Sequence, residues 1–560
     1  MYLSRTCRLL FCAITLSFYG ANGGAAVVDV LGSLSPSDFS AYVASQSFCD
    51  WGNEPSVAVN PRNPQELIVA SFGYGSWVSS STAQLWHSTD GGSSWVVSLS
   101  MPTPFPGSTF FVDDQTFAYD SSGALHCALL AYDNVSNSDA VFHGVTTNVN
   151  NSSAWTWNST SIAADNASIS VDQPWIAISG STVAVAYDNF NASFTFSEER
   201  VAISTDLGAT FSAGLNQPVC SPGRVNTSIV NPGLRIAADA LGDIFMFCGV
   251  RTNNNGSGVP LINYRLNRFS AGGSAWDFSS ATLDAIGGLA ITNGPSRQGN
   301  SSTFSFGGIN YLLGNITAIA ANTNGSRVYV VYGLADANGI NHLYLQRLQS
   351  SGSTLAASGA PLNLSFTNFS AALPSIAVAD NGVVGIMFDE FDGSAFHVHL
   401  AISYDEGASI ATNTNLYTFS TNGMLFGYGT TPSTHNRLLG DYARLSAYQN
   451  VLYGTFAGRG NVASGSNITT NYICPFFFSW DVSIAQPSIV QTVRAANSIQ
   501  IDFAGTPGAI YYVQATSNLS PPISWQDIST NVASVTSGYW SYTQPTTALS
   551  RRFFRASQKP

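Results

Sequence analysis

A phrase of two apolar strands joined by a polar turn recurs seven times along this chain, and it restricts the fold more than any other feature. It reads PSVAVNPRNPQELIVAS from Pro55, DDQTFAYDSSGALHCALLAY from Asp113 and DQPWIAISGSTVAVAY from Asp172. Later copies open at Pro232, Ile316, Pro374 and Gly440, so the starts lie 58, 59, 60, 84, 58 and 66 residues apart (113 − 55 for the first). Within each copy apolar residues alternate as in half-buried strands. A unit of that length cannot bury its own apolar face, so the copies must stack, and strand-built copies stack as a ring. The expected fold is all-β: a seven-bladed β-propeller followed by a small β-sandwich. The expected domains are an export signal over 1–26, the propeller over 27–485 and the terminal module over 486–560.

Charge excludes two classes of partner. Charged residues make up 9% of the 560, against about 25% in an ordinary chain, and lysine occurs once, at Lys559. A net charge of −12 leaves no basic stripe for a nucleic acid and no attraction to an anionic membrane. So few carboxylates also imply tolerance of acid. Arg5 and Arg8 precede the apolar run Leu9–Tyr19, and Gly23, Gly24, Ala25 and Ala26 follow as a cleavage region. The run is too short to span a bilayer, and no later stretch is long enough. The expectation is a secreted or cell-surface monomer with no membrane span.

Export permits disulfides. Beyond the signal the chain keeps Cys49, Cys127, Cys220, Cys248 and Cys474, an odd number. Cys127 lies in a core-strand pattern and reads as a buried thiol. Cys49 and Cys474 would meet if the N-terminal strand closed the last blade, and Cys220 with Cys248 would pair locally; spacing alone fixes neither. Fifteen Asn-x-Ser/Thr sequons run from Asn134 to Asn518, a number that an Asn/Ser/Thr-rich chain generates by chance.

A second signal lies between the copies. STDGGSSW holds Asp90, STDLGATF holds Asp206 and SYDEGASI holds Asp405; a worn form, SAGGSAW, ends at Trp276. Aspartate can accept backbone N–H groups inside a tight turn, glycine supplies a positive φ, and the aromatic three residues later gains from burial between sheets. This pattern resembles the Asp-box, or BNR repeat, of the sialidase-like propellers. The resemblance implies that the box joins the third and fourth strands of a blade, away from the funnel, so Asp90, Asp206 and Asp405 are structural.

Family sialidases clamp a carboxylate with three arginines, usually announced by Arg-Ile-Pro before the first box, and have six blades. Here that region reads GNEPSVAVNP, with no arginine before Arg62. Sialidase activity is therefore not expected. The candidate site comes instead from aligning the seven copies. The position opening the first strand holds Asn53, Asp113, Asp172, Pro232, Asn315, Ala372 and Asp441; three residues later stand Ser56, Thr116, Trp175, Arg235, Ala318, Ser375 and Arg444. Such columns ring one mouth of a propeller channel. Asp113, Asp172, Trp175, Arg235, Asp441, Tyr442 and Arg444 are thus the candidates for gripping a ligand. Carboxylates can hold sugar hydroxyls, an indole or phenol can stack on a ring, and oxygen ligands can hold a calcium ion, although no motif supports one. Equally, these residues could cap strand ends and close the channel. Asp389, Glu390 and Asp392 read as a solvated loop, and the histidines show no metal spacing.

Two functions compete: binding of an extracellular carbohydrate or polymer in the funnel, and glycoside hydrolysis by funnel carboxylates. A cell-surface interaction scaffold is a third. The terminal stretch GTPGAIYYVQATSNL, Trp525 and RRFFRAS resembles a fibronectin-III-like module of exported bacterial proteins, which implies anchoring, sorting or polymer binding.

Overall fold

The structure is a computed structural model describing residues 26–38, 52–71, 82–104, 110–133, 137–166, 168–191, 197–212, 215, 217–220, 234–254, 260–278, 287–296, 305–311, 316–365, 368–420, 438–460, 473–546 and 552–558. Seven antiparallel sheets of four or five strands follow one another in chain order among these residues. Their first strands are Ser56–Val59, Phe110–Tyr119, Ser170–Ser179, Arg235–Ala238, Thr317–Ala321, Ser370–Val378 and Arg444–Tyr448. Each first strand packs on the next, and that of the seventh sheet packs back on that of the first. The cycle is closed, which makes the architecture a β-propeller with these strands innermost.

The ring is closed by strand exchange. The seventh sheet takes its outermost strand, Val28–Asp29, from the N-terminus, pairing Val28 with Phe477 and Asp29 with Phe476. Second strands such as Leu125–Asp133 and Val451–Arg459 are buried almost throughout, because each lies between neighbouring sheets and has no solvated face.

Hydroxyls stitch the innermost strands together. Ser56 Oγ accepts from Phe117 N at 3.4 Å, Thr116 Oγ1 from Ile176 N at 3.0 Å, and Ser375 Oγ from Leu445 N at 2.7 Å. In each case a blade's column residue bonds the next blade one residue past its own column position. Three of the seven column positions are therefore mortar rather than ligand contacts.

At the mouth, the innermost strands bulge. Register shifts fall between Val112 and Gln115, Asp172 and Trp175, and Ala372 and Ser375. Glu54, Gln173 and Leu373, each preceding a proline, take left-handed φ values of 51°, 48° and 54°. A bulge sets two residues against one on its partner and re-aims the side chains that follow.

At the opposite end the three Ser-x-Asp-x-Gly turns share one geometry. Ser204 Oγ donates to Asp206 Oδ1 at 2.6 Å and accepts from Gly208 N at 2.9 Å, while Asp206 accepts from Thr210 N and Oγ1 at 2.9 and 2.7 Å. The turns at Asp90 and Asp405 repeat these bonds with Ser94 and Ser409. Each joins the third and fourth strands of its sheet, the first, third and sixth. Gly92, at φ +91°, leaves no room for a side chain: a Cβ there would lie 2.0 Å from Phe477 of the seventh blade.

Residues Ser488–Gln558 form two three-stranded sheets among the described residues, around Phe503, Tyr511 and Trp540. Tyr511 and Trp540 stack at 4.6 Å. Tyr511 Oη donates to Ala485 O at 2.8 Å, tying this sandwich to the segment that leaves the ring.

Two expectations need correction. No disulfide joins the described residues: Cys474 is buried and hydrogen-bonds Asp29, which with burial holds its thiol protonated, so pairing of Val28–Asp29 provides the closure assigned to Cys49 and Cys474. Cys49 lies outside the described residues. Cys220 and Cys248 stand on different sheets, the third and fourth, and Cys248 is packed in the core between them. Asp389 and Glu390 are not a solvated loop; they lie on Val384–Phe391 and are 3% and 5% exposed. Only Asp392 is in the turn, where it pairs with His397 at 3.0 Å. Cys127 is fully buried in the second blade, as its pattern predicts.

Candidate functional site

A strap crosses one end of the channel. Leu438–Tyr442 forms it and then enters the innermost strand of blade seven. Asn310 Oδ1 accepts from Leu439 N and Gly440 N, both at 3.0 Å. Glu54 of blade one accepts from Asp441 N at 2.9 Å, and Gln173 of blade three donates to the Asp441 carboxylate at 2.5 Å. Tyr442 reaches blade two, where its hydroxyl bonds Gln115 N and O at 3.2 and 3.3 Å. Gly440 has φ +79°, and a Cβ there would lie 2.0 Å from Glu54 Cγ, so only glycine passes this point.

Beneath the strap lies a channel cavity of about 310 Å³, walled by alanines, isoleucines and polar residues of the innermost strands. Its upper end is polar. Trp175 meets Tyr442 edge-on at 5.2 Å, and two guanidinium groups lie against its indole, Arg235 at 4.5 Å and Arg444 at 4.7 Å. Arg235 is anchored through Leu234 O at 2.7 Å and Asp441 O at 3.0 Å. Arg444 Nη1 is buried without a hydrogen-bond partner. Burial, then the neighbouring Arg235 charge, lowers the Arg444 pKa to about 10.

The second and third strands of blade three carry buried acids that the column alignment did not pick out. Asp188 lies opposite Asp172 on one side and opposite Glu199 on the other. Asp188 is 0% exposed and Glu199 1%. Burial first, and the adjacent Glu199 charge second, raise the Asp188 pKa well above the carboxylate range; burial pushes Glu199 up to about 8. Asp389 occupies the equivalent place in blade six, opposite Ala372, and burial raises it too. Burial thus favours the protonated form of each and holds all three apart from solvent.

The structure brings Trp175, Arg235, Tyr442, Asp441 and Arg444 together, as the column alignment implied. The remaining two fall in strand bulges. Asp172 is half-buried at the bulge, accepting from Gln173 N at 2.8 Å. Asp113 sits in the blade-two bulge, and its side chain lies outside the described ones. Asp441 is fully buried, spent on the strap rather than offered to the channel. Among the described residues no group of three His, Cys, Asp or Glu side chains could hold a metal ion. Glu54 and Asn310 were missed because their roles are to anchor a distant loop, which no local pattern encodes.

No family model matches the chain, and no curated protein matches it in sequence. Among solved structures it is similar to the Penicillium chrysogenum alpha-L-arabinanase complexed with arabinobiose, at 12% identity over 78% of this chain and 97% of that one, TM-score 0.42. It is similar to the polysaccharide lyase Uly1 at 10% identity, over 74% of this chain and 88% of that one, TM-score 0.41. It is also similar to the alpha-L-arabinofuranosidase Arb93A of Fusarium graminearum, at 11% identity over 60% and 88%, TM-score 0.37. Likenesses of this size assign neither ligand nor chemistry to this chain. Among the described residues, no helix is long and apolar enough to cross a membrane.

Proposed function

We propose that this protein is a secreted seven-bladed propeller of Asp-box type that binds an extracellular carbohydrate or polymer through its channel and does not cleave it. One observation carries the reading: the aromatic ring and the cationic donors line the cavity, while the acids that could do chemistry do not. Asp188, Glu199 and Asp441 are each 1% exposed or less, on the second and third strands of blade three or within the strap. A general acid or nucleophile must come within hydrogen-bond reach of its substrate. An indole and unsatisfied N–H donors need only a surface, and they suit a sugar ring's apolar face and hydroxyl rim. The reading treats the terminal sandwich as a fibronectin-III-like attachment module for the cell surface, with the protein exported as a monomer.

A glycan array paired with a hydrolysis screen tests this. Binding without turnover is expected, with at least tenfold weaker binding by Trp175→Ala. Turnover by the parent that is lost in Asp172→Asn would replace the binding reading with glycoside hydrolysis.

A further inference from the structure

The positive charge inside the channel is out of keeping with the rest of the molecule. The chain has 20 Lys and Arg against 32 Asp and Glu, yet two arginines stand side by side on one indole in its interior. Arg235 is faced by the carboxyl groups of Asp441, Asp188 and Glu54. Arg444 has no such compensation: beyond burial, the groups acting on it are the like charge of Arg235 and the phenol of Tyr442. Its position also has a cheaper occupant. In blades one, two and six the same column holds Ser56, Thr116 and Ser375, whose hydroxyls bond the next blade. Blade seven gives up that stitch for a guanidinium with a buried, unpartnered Nη1.

Holding a partly buried guanidinium with one interior nitrogen unpaired is costly, and a like charge on the same ring adds to that cost. An anion in the cavity would remove both costs. Guanidinium groups match two oxygens of a carboxylate or sulfate through two parallel N–H bonds. The cavity, about 310 Å³, sits at the small end of ligand pockets, which run from about 300 to 1,000 Å³.

We propose that the channel is an oxyanion site, in which Arg444, with Arg235 on the same indole, takes the carboxylate or sulfate of an acidic saccharide. This rests on the carbohydrate-binding reading and narrows it from sugars in general to charged ones.

Calorimetric titration at low salt tests it with four probes: a galacturonate trimer, galactose 6-sulfate, a neutral galactose trimer and inorganic sulfate. The parent should bind one of the two acidic sugars at least tenfold more tightly than the neutral trimer, with affinity falling as NaCl rises. The sugar that binds identifies the oxyanion. Arg444→Gln should abolish that preference, and Arg444→Lys should keep part of it. Unliganded Arg444→Gln should melt no lower than the parent, since it loses an uncompensated charge; a lower Tm would make Arg444 a structural residue and overturn the proposal. Equal binding of neutral and acidic sugars by parent and Arg444→Gln would also overturn it, while leaving carbohydrate binding standing. Binding of inorganic sulfate but of no sugar would keep the oxyanion site and sink the saccharide reading.

Discussion

Lowering the pH should strike this protein at one buried pair of rings. His126 Nδ1 and His143 Nε2 meet at 3.0 Å, each ring 1% exposed, in a chain running from Asp120 to Asn158. Asn158 continues the chain to Gly208 O and Ala209 O of the Asp206 turn, so the rings couple blades two and three. Burial lowers the His143 pKa from 6.5 to about 4, partly opposed by its bond to Asn158. The folded state therefore binds this proton later than the unfolded chain does. Stability from this group is complete above pH 6.5, is lost as pH falls towards 4, and changes no further below that. A shift of about 2.5 units at ~1.36 kcal/mol each amounts to roughly 3 kcal/mol.

Denaturant unfolding of the parent and His143→Gln at pH 7.5 and pH 4.0 would measure it. The substitution has its own fixed cost, but a fixed cost cancels between pH values. The buried acids Asp188, Glu199 and Asp389 have raised pKa values, so they contribute stability in acid that is lost as pH rises; that contribution is common to both proteins and cancels too. The gap between parent and variant should move by about 3 kcal/mol in the variant's favour on acidification. A gap that stays within ~0.5 kcal/mol would refute the account. The scarcity of carboxylates that implied acid tolerance thus addresses only half of the balance, because these histidines titrate in the opposite sense.

Other substitutions probe the frame. Gly92→Ala should lower the Tm sharply, at a cost of about 2 kcal/mol or more, because its φ is +91° and its Cβ would enter Phe477; a neutral result would mean that blades one and seven do not pack as described. Tyr442→Phe should cost about 1–3 kcal/mol by stranding Gln115 N of blade two, read by denaturant unfolding. Asp405→Ala should destabilise the sixth blade by a similar amount, for it removes acceptors of Ala408 N, Ser409 N and two hydroxyls, yet leave ligand affinity unchanged in the same titration. Cys127, fully buried and with burial pushing its thiol pKa up, should resist a thiol reagent in the native protein and react once denatured.

The ring was legible because its cause is local. Alternation in PSIAVADNGVVGIMF writes a strand pair directly, and Ser403, Asp405 and Gly407 write their own turn. The column alignment also placed Trp175, Arg235 and Arg444 together, since innermost strands of a ring share one axis. What could not be read was which column members face the channel. Ser56 and Asp441 look like site residues in sequence, but one bonds the neighbouring strand and the other is locked by Gln173 and Glu54. Those partners lie 61, 268 and 387 residues away, and no periodicity reports on them. Asp188 and Asp389 were hidden for the opposite reason: an acid at the end of an apolar strand reads as an exit to solvent, and a ring buries that exit.

Pairing of Val28–Asp29 with Ile473–Asp481 sets an order on how the molecule comes to exist. The first described strand has no partner until the chain has grown by more than four hundred residues, and every blade between is an open arc with two raw edges until then. A chain that crosses a membrane before folding meets that requirement naturally, because both ends are delivered before either is needed. A chain cut short inside blade seven would keep six complete sheets and still have no channel.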